Sequence, residues 1–159
     1  MLGIAVYYFY PESTLPAGKK IEKLVVVKSQ HLMHVYAEGH IIKSYAVSIG
    51  QNPVGDKVFE GDKRTPEGTY RIAGKNANSE FYKNLAISYP NKSDVAEAKR
   101  KNVDPGGDIK IHGLKNGLGF IGKFHRWRDW TAGCIALTNS EMDELYSHVE
   151  IGTPIVIKP

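Results

Sequence analysis

A single cysteine stands out among the residues that could do chemistry. Cys134 follows Gly133 and precedes an apolar run, residues 135–137, that is typical of a short buried segment. A cysteine behind a glycine can sit on a tight turn, with its sulfur exposed and its backbone N–H directed at a substrate. Upstream, a short strand-like run ends at His112. A thiol and an imidazole at a strand end are the minimum for a cysteine nucleophile and its base, although most lone cysteines are small buried apolar residues.

Two histidines compete for the role of base. His112 ends a strand, which holds a side chain more rigidly than a loop, whereas His125 stands beside Arg126 in a segment typical of a loop. We therefore favour His112, and His125 is otherwise a loop histidine or a substrate contact. A thiol near its reference pKa of about 8.5 is mostly protonated at neutral pH, so an imidazole that takes its proton would give a thiolate–imidazolium pair. The other histidines lack such a context and are expected at the surface or in packing: His31, His34, His40 and His148.

Four segments of the chain, in the same order, resemble the catalytic domain of the L,D-transpeptidase (YkuD-type) family. They are residues 47–50, residues 62–70 with their Thr-Pro-x-Gly-aromatic turn, the pair His112-Gly113, and residues 131–137 around the cysteine. The resemblance extends from about Lys23 to the C-terminus. Two positions depart from the family pattern, because Ala132 stands where a histidine is usual and Ala136 where an arginine or asparagine is usual. Residues 129–145 are more similar to the murein L,D-transpeptidase branch, which lacks both.

This resemblance implies a fold and a reaction. The fold is mainly β with minor α, a single L,D-transpeptidase-like β-sandwich domain with one or two short helices. In the reaction, Cys134 attacks the third residue of a peptidoglycan stem tetrapeptide and releases D-alanine, and an amine acceptor then resolves the thioester to a 3→3 cross-link. With water as acceptor, the same site would be an L,D-carboxypeptidase or a hydrolase that releases wall-attached protein. A non-catalytic wall-binding module stays open, because Ala132 and Ala136 replace two motif residues.

The resemblance also assigns supporting residues. Gly113 is matched to the backbone group that orients the base. The oxyanion hole is expected from the N–H groups of Gly133 and Cys134, with Tyr89 as a side-chain donor that contacts substrate. Tyr89 is equally typical of a strand aromatic beside a proline.

A substrate that carries carboxylates calls for a cation in the site, and arginine suits a planar carboxylate. The nearest candidates are Arg126 and Arg128, which would face the same side of an extended segment. Both are equally typical of solvated loop charges, and Arg64 is the next position to consider.

Composition limits the partners. The chain of 159 residues is long enough for one domain with its own core, and its net charge of +4 suits work near an anionic polymer. It has no lysine- and arginine-rich block, so we expect no nucleic-acid partner, and we expect a monomer. No metal-ligand spacing is present, and the glycines at 117, 119 and 122 do not lie between a strand and a helix, so no metal or cofactor is predicted.

The first twenty residues differ from the rest. Residues 1–10 are apolar but too short to cross a bilayer, and residues 11–18 are typical of a linker. We interpret residues 1–20 as the remnant of an N-terminal signal anchor with its linker, or equally as an ordinary N-terminal strand, ahead of a catalytic domain over residues 21–159. The expected location is the periplasm or cell envelope, with an inner-membrane anchor under the first interpretation.

The remaining pattern predicts a meander of antiparallel strands from residue 24 to 48, and further strands near residues 69–73, 85–89, 109–112 and 155–157. Ser93 is expected to cap a short helix ending at Arg100. Thr138 and Glu141 form a capping-box pair for a second helix. Its apolar residues at 142, 145, 146 and 149 recur at helical spacing and should face the core.

Overall fold

The computed structural model describes residues 2–159, and side chains from Gly3 onward. It contains eight strands, three α-helices and two 3₁₀ segments. The strands are β1 Lys23–Val27, β2 Leu32–Ala37, β3 His40–Ala46, β4 Gly68–Ser79, β5 Tyr82–Ile87, β6 Lys110–His112, β7 Ile135–Ala136 and β8 Pro154–Lys158. The helices are α1 Leu2–Phe9, α2 Lys92–Arg100 and α3 Asn139–His148, and the 3₁₀ segments are Lys28–Gln30 and Gly119–Trp127.

All eight strands belong to one mixed sheet in the order β3-β2-β1-β8-β4-β5-β6-β7. Strands β1 to β3 form the expected antiparallel meander. β8 lies at the centre of the sheet, parallel to β1 and antiparallel to β4, so the closing strand predicted near residues 155–157 is also confirmed. The predicted mainly β single domain is confirmed.

The two edges of the sheet meet. After β3, Ser48 bridges to Ala136 on β7, and the Ala136 N–H donates to the Ser48 carbonyl at 2.8 Å. Gly50 forms a second, parallel bridge to Thr131, whereas the bridge between Ser48 and Ala136 is antiparallel. The sheet therefore curls round one core, whose largest fully buried side chains are Leu24, Met33, Tyr45, Ile49, Ile72, Leu85, Ile111, Ile135, Leu137, Met142, Leu145 and Ile155. The parallel pairing of β6 with β7 places the segment before β7, which carries the cysteine, beside β6.

The helix caps are partly as expected. In α3, the Thr138 and Glu141 capping box is confirmed. In α2 the prediction of Ser93 as cap is wrong, because the cap is Asn91, whose side chain accepts from the N–H groups of Ser93 at 2.8 Å and Asp94 at 3.0 Å. The Asp94 carboxylate returns a bond to the Asn91 N–H at 2.8 Å. Asn91 has an acidic residue three positions later, which Ser93 lacks, and this reciprocal pair fixes the helix start two residues earlier.

The N-terminal segment is helical, so the alternative of an N-terminal strand is wrong. α1 packs on the 3₁₀ segment Gly119–Trp127, where the Tyr8 hydroxyl donates to the Phe120 carbonyl at 2.6 Å and its ring lies 5.0 Å from that of Phe124. Gly122 has a φ of +50°, and a Cβ there would lie 2.8 Å from the Tyr8 ring, so this contact needs glycine. No helix within residues 2–159 is long and apolar enough to cross a membrane. The signal-anchor interpretation stays a prediction.

Candidate active site

A cleft of about 780 Å³ lies where the β4–β5 hairpin, the end of β6 and the segment before β7 meet. Cys134 and His112 both line it, so the structure brings together the two residues that the sequence analysis paired. Its other lining side chains include Phe81, Asn84, Lys110 and Trp130. The cleft combines a nucleophile, an imidazole, a cation and aromatic walls.

The turn before the nucleophile is fixed by Thr131. Its buried hydroxyl donates to the Cys134 carbonyl at 2.7 Å and accepts from the Gly133 N–H at 3.1 Å. Gly133 has a φ of +134°, and a Cβ there would lie 2.6 Å from the Arg64 carbonyl oxygen. Only glycine fits, because both the backbone conformation and the space exclude a side chain.

This turn corrects one assignment. The Gly133 N–H, expected in the oxyanion hole, already donates within the turn. The Cys134 N–H has no acceptor within residues 2–159, so it is the backbone donor of this turn that is left free. Gly133 instead shapes the turn that presents the sulfur.

The Cys134 thiol is held in its neutral form. Burial raises the pKa of Cys134, although a bond from the Lys110 backbone N–H and the charge of Lys110 favour the thiolate. The thiol donates to the Asp108 carbonyl, with 3.7 Å between sulfur and oxygen. At neutral pH the sulfur therefore carries its proton and needs a base when it attacks.

His112 is the imidazole that lines the cleft. It is 5% exposed, and its Nδ1 lies 2.7 Å from the Gly113 carbonyl oxygen. A carbonyl only accepts, so Nδ1 carries the hydrogen and Nε2 is left free to accept a proton. Burial lowers the pKa of His112, the bond to Gly113 opposes this, and the charge of Lys110 adds to it. The resting site thus holds a neutral imidazole and a neutral thiol, rather than the expected thiolate–imidazolium pair.

Two aromatic rings enclose the base. The Phe81 ring centroid lies 4.7 Å from that of His112, and the Trp130 ring lies 5.7 Å away at 68°. The two rings stack on each other at 6.1 Å, and both line the cleft. They account for much of the apolar surface over the imidazole. The contact of these two rings with His112 could not be predicted, because neither residue stands near His112 in the chain.

His125 lies behind this wall and does not line the cleft. It is buried, with its Nδ1 3.2 Å from the Ser48 hydroxyl and its ring 6.4 Å from that of Trp130. Burial, with the neighbouring charge of Arg126, lowers the pKa of His125 to about 4. His125 supports Trp130 by packing and has no route to substrate through the cleft.

Three predicted substrate contacts lie elsewhere. Tyr89 is in the core, where its hydroxyl donates to the Pro105 carbonyl at 2.8 Å and its ring packs against Tyr70. Arg126 pairs with Glu12 at 2.9 Å and with Glu141 at 2.6 Å.

Arg128 is exposed and does not line the cleft. The prediction that Arg126 and Arg128 lie on one extended segment is wrong, because the 3₁₀ segment continues to Trp127. Arg64 also lies outside the cleft, and its guanidinium approaches the Asp56 carbonyl at 3.4 Å.

The positively charged side chains that line the cleft are lysines, and not the predicted arginines. Lys110 and Lys115 line the cleft, and Lys110 acts electrostatically on both Cys134 and His112. Lys110 precedes His112 by two residues on β6, so both side chains project from the same face of the strand. That spacing of two residues on a strand is visible in the sequence and predicts that Lys110 lies beside His112. Among residues 2–159, no three His, Cys, Asp or Glu side chains cluster closely enough to hold a metal ion.

A family model of the L,D-transpeptidase catalytic domain (YkuD) matches residues 22–157. The chain belongs to this family. It is 24% identical to a protein of Escherichia coli K12 named "Putative L,D-transpeptidase YafK", with 86% of this chain and 54% of that protein covered. This L,D-transpeptidase domain therefore spans about half the length of that relative.

Solved structures show the same fold. The helical cell shape determining protein Pgp2 from Campylobacter jejuni superposes with a TM-score of 0.65 at 24% identity, covering 89% of this chain and 49% of that one. Bd1075 from Bdellovibrio bacteriovorus gives a TM-score of 0.60 at 22% identity, covering 91% and 50%. The L,D-transpeptidase domain fold is thus shared with proteins about twice the length of this chain.

Proposed function

We propose that this chain is a peptidoglycan L,D-transpeptidase whose nucleophile is Cys134 and whose general base is His112. The observation that carries the proposal is their common cleft, in which the Gly113 carbonyl fixes the imidazole so that Nε2 is the free nitrogen. Membership of the family supports the substrate class, which is the stem peptide of peptidoglycan.

In the acylation step, His112 Nε2 takes the thiol proton as Sγ attacks the carbonyl carbon of the third stem residue. The negative charge that develops on the carbonyl oxygen is met by the Cys134 N–H. The bond to the terminal D-alanine then breaks, the proton on His112 passes to the leaving amine, and a thioester remains on Sγ. Because thiol and imidazole start neutral, no separated charge has to be held in the resting cleft.

In the second step, an amine of another stem attacks the thioester carbonyl while His112 takes a proton from it. The carbon–sulfur bond breaks, the sulfur regains a proton from the imidazolium, and a 3→3 cross-link is released. Water in place of the amine gives carboxypeptidase action or the release of a wall-attached protein by the same residues. The proposed partner is therefore peptidoglycan, and the proposed site of action is the cell envelope.

Lys110 is the proposed anchor for the terminal carboxylate of the substrate. It is a cation that acts on both reacting side chains, and among residues 2–159 its ammonium pairs with the exposed Asp108 carboxylate alone, at 2.8 Å. A surface ion pair of this kind is weak, so a substrate carboxylate can compete for the lysine. By analogy with the helical cell shape determining protein Pgp2, a role in cell shape is part of this proposal.

Incubation with purified tetrapeptide muropeptides, with products read by mass, tests the reaction. A transpeptidase gives dimers with loss of one D-alanine, whereas a carboxypeptidase gives tripeptides alone. Unchanged tetrapeptide, in a preparation whose Cys134 reacts with a thiol reagent, would contradict the proposed function and favour a wall-binding module.

A further inference from the structure

Asn84 is a buried polar side chain at the floor of the cleft. It is 5% exposed, and its amide makes no hydrogen bond to any residue within 2–159. Neither amide atom is sealed from solvent, and the residue lines the cleft. Because both amide atoms open on the cleft and make no bond within the described part of the chain, their donors and acceptor are available to a ligand.

The register of the sheet places this amide beside the base. Asn84 on β5 is the residue directly opposite His112 on β6. Opposed residues project from the same face, with Cβ atoms about 5 Å apart. On its other side, β6 pairs with β7, which follows Cys134. Asn84 and Cys134 therefore flank His112 from opposite sides.

We propose that Asn84 is a substrate-positioning residue whose amide pairs with the peptide group on the amino side of the residue attacked by Cys134. The inference rests on the proposed function and names a contact that the reaction scheme leaves open. The charge of Lys110 sets the direction of the bound stem peptide. Lys110 lies near the sulfur and takes the terminal carboxylate in the proposed function. The rest of the stem then extends away from Lys110, past His112 and toward β5. Neighbouring strands lie about 4.8 Å apart and one residue of extended peptide spans about 3.5 Å, so the side chain of Asn84, which projects into the cleft, closes the remaining distance to that peptide group.

The chemistry of the amide fits this partner. An asparagine offers two donors and one acceptor, and a peptide group offers one of each. Asn84 carries no charge, so it is a poor match for the carboxylates or the ammonium group of the stem. The Phe81 ring, which lines the same cleft, would shield the hydrogen bonds between the Asn84 amide and the peptide group from water. A hydrogen bond shielded from water is stronger.

The test compares two ligands on variants that cannot turn over. In a Cys134→Ala background, the dissociation constant is measured for the stem tetrapeptide and for the dipeptide of the diamino acid and D-alanine, which lacks the upstream peptide group. Asn84→Leu should weaken tetrapeptide binding roughly tenfold and dipeptide binding by less than about twofold. The control is Asn52→Leu, an exposed amide outside the cleft, which should change neither. If Asn84→Leu does not fold, Asn84→Asp removes the donor while keeping the shape.

The outcomes separate the two proposals. Equal losses for both ligands, no loss for the tetrapeptide, or an equal effect of Asn52→Leu would overturn the role of Asn84 while leaving the transpeptidase proposal intact. If the Cys134→Ala parent binds neither ligand, the proposed function fails and the role of Asn84 fails with it. In the active enzyme, Asn84→Leu should raise KM for tetrapeptide more than it lowers kcat, and alkylation of Cys134 by iodoacetamide should keep its rate.

Discussion

The imidazole of His112 packs against the indole of Trp130, with ring centroids 5.7 Å apart and planes at 68°. This contact keeps water from one side of the base and contributes to the burial that lowers the pKa of His112. A base that stays neutral at neutral pH is ready to accept the thiol proton. The aromatic wall and the chemistry of the site are therefore linked through one ring contact.

Removal of the nucleophile should stop turnover and leave the fold in place. Cys134→Ala loses little packing, because the residue lies on a turn that Thr131 and Gly133 hold through backbone contacts. Cys134→Ser should also be nearly inactive, since His112 would have to deprotonate a much weaker acid. Release of D-alanine from tetrapeptide is the measurement, with circular dichroism as the control. An alanine variant that still releases D-alanine would rule out the proposed mechanism.

The two histidines should differ in their effect on acylation. His112→Ala should lower the acylation rate by roughly 10²–10⁴-fold, the usual range for a lost general base. His125→Ala should lower the acylation rate much less, under conditions in which the variant is folded, because His125 does not line the cleft. Burst kinetics with tetrapeptide measure both. A larger loss at His125 would reverse the assignment of the base.

Lys110 should matter for substrate affinity, and Arg128 should not. Lys110→Met removes the cation beside the reacting pair, so KM for tetrapeptide should rise about tenfold, with a smaller change for a substrate whose terminal carboxylate is amidated. Arg128→Met is the matched control at an exposed position outside the cleft. If Lys110→Met changes KM equally for the free and the amidated substrate, the lysine is not the carboxylate anchor.

Arg126 should affect stability rather than binding. Its guanidinium is 11% exposed and pairs with both Glu12 and Glu141. Arg126→Leu would leave the buried Glu141 carboxylate without its cation, and the free energy of unfolding should fall by about 2–3 kcal/mol, less than for a fully buried pair because Glu12 is partly exposed. Urea unfolding measures this. A normal unfolding midpoint together with a raised KM would instead restore Arg126 as a substrate contact.

Stability should decline as the pH falls from 6.5 towards 4, in part because of His125. Above pH 6.5 the His125 imidazole is neutral in both the folded and the unfolded chain, since the folded pKa is lowered to about 4. As the pH falls, the unfolded chain binds the proton first, and unfolding is favoured until the folded form also binds it. The contribution is on the order of 3 kcal/mol.

Urea unfolding at pH 7.5 and pH 4.5 measures this loss. His125→Asn should make the difference smaller, and His40→Asn, at an exposed position, serves as the control. An unchanged difference in the His125 variant would show that other groups account for the acid sensitivity.

The shared cleft of Cys134 and His112 could be predicted because the signals for both residues are local. A glycine before Cys134 and a strand end at His112 are visible in a few consecutive residues, and the β-rich fold follows from strand patterns of the same kind. Tyr89 was placed incorrectly because its position before a proline marks the end of a strand but not the direction of its ring. Arg126 was misplaced because its partner Glu12 lies at the other end of the chain.

Asn84 could not be found from sequence at all. Its relation to His112 exists only through the register of β5 on β6, and a shift of one residue would turn its side chain to the opposite face. Lys110 is an intermediate case, since alternation along β6 was sufficient to place it beside the base.

Because β8 lies at the centre of the sheet and near the end of the domain, its formation affects when the cleft assembles. Leu24 near the start of the domain pairs with Ile155, and β4, which leads to the cleft hairpin, pairs with the other side of the same strand. While the chain is being synthesised, the two halves of the sheet have no common strand until residues 154–158 have emerged. Contacts between such distant residues form slowly, so assembly of the cleft is expected to follow completion of this region of the chain. Cys134 and His112 lie on directly paired segments, but the sheet that supports both is complete only when β8 has joined its two halves.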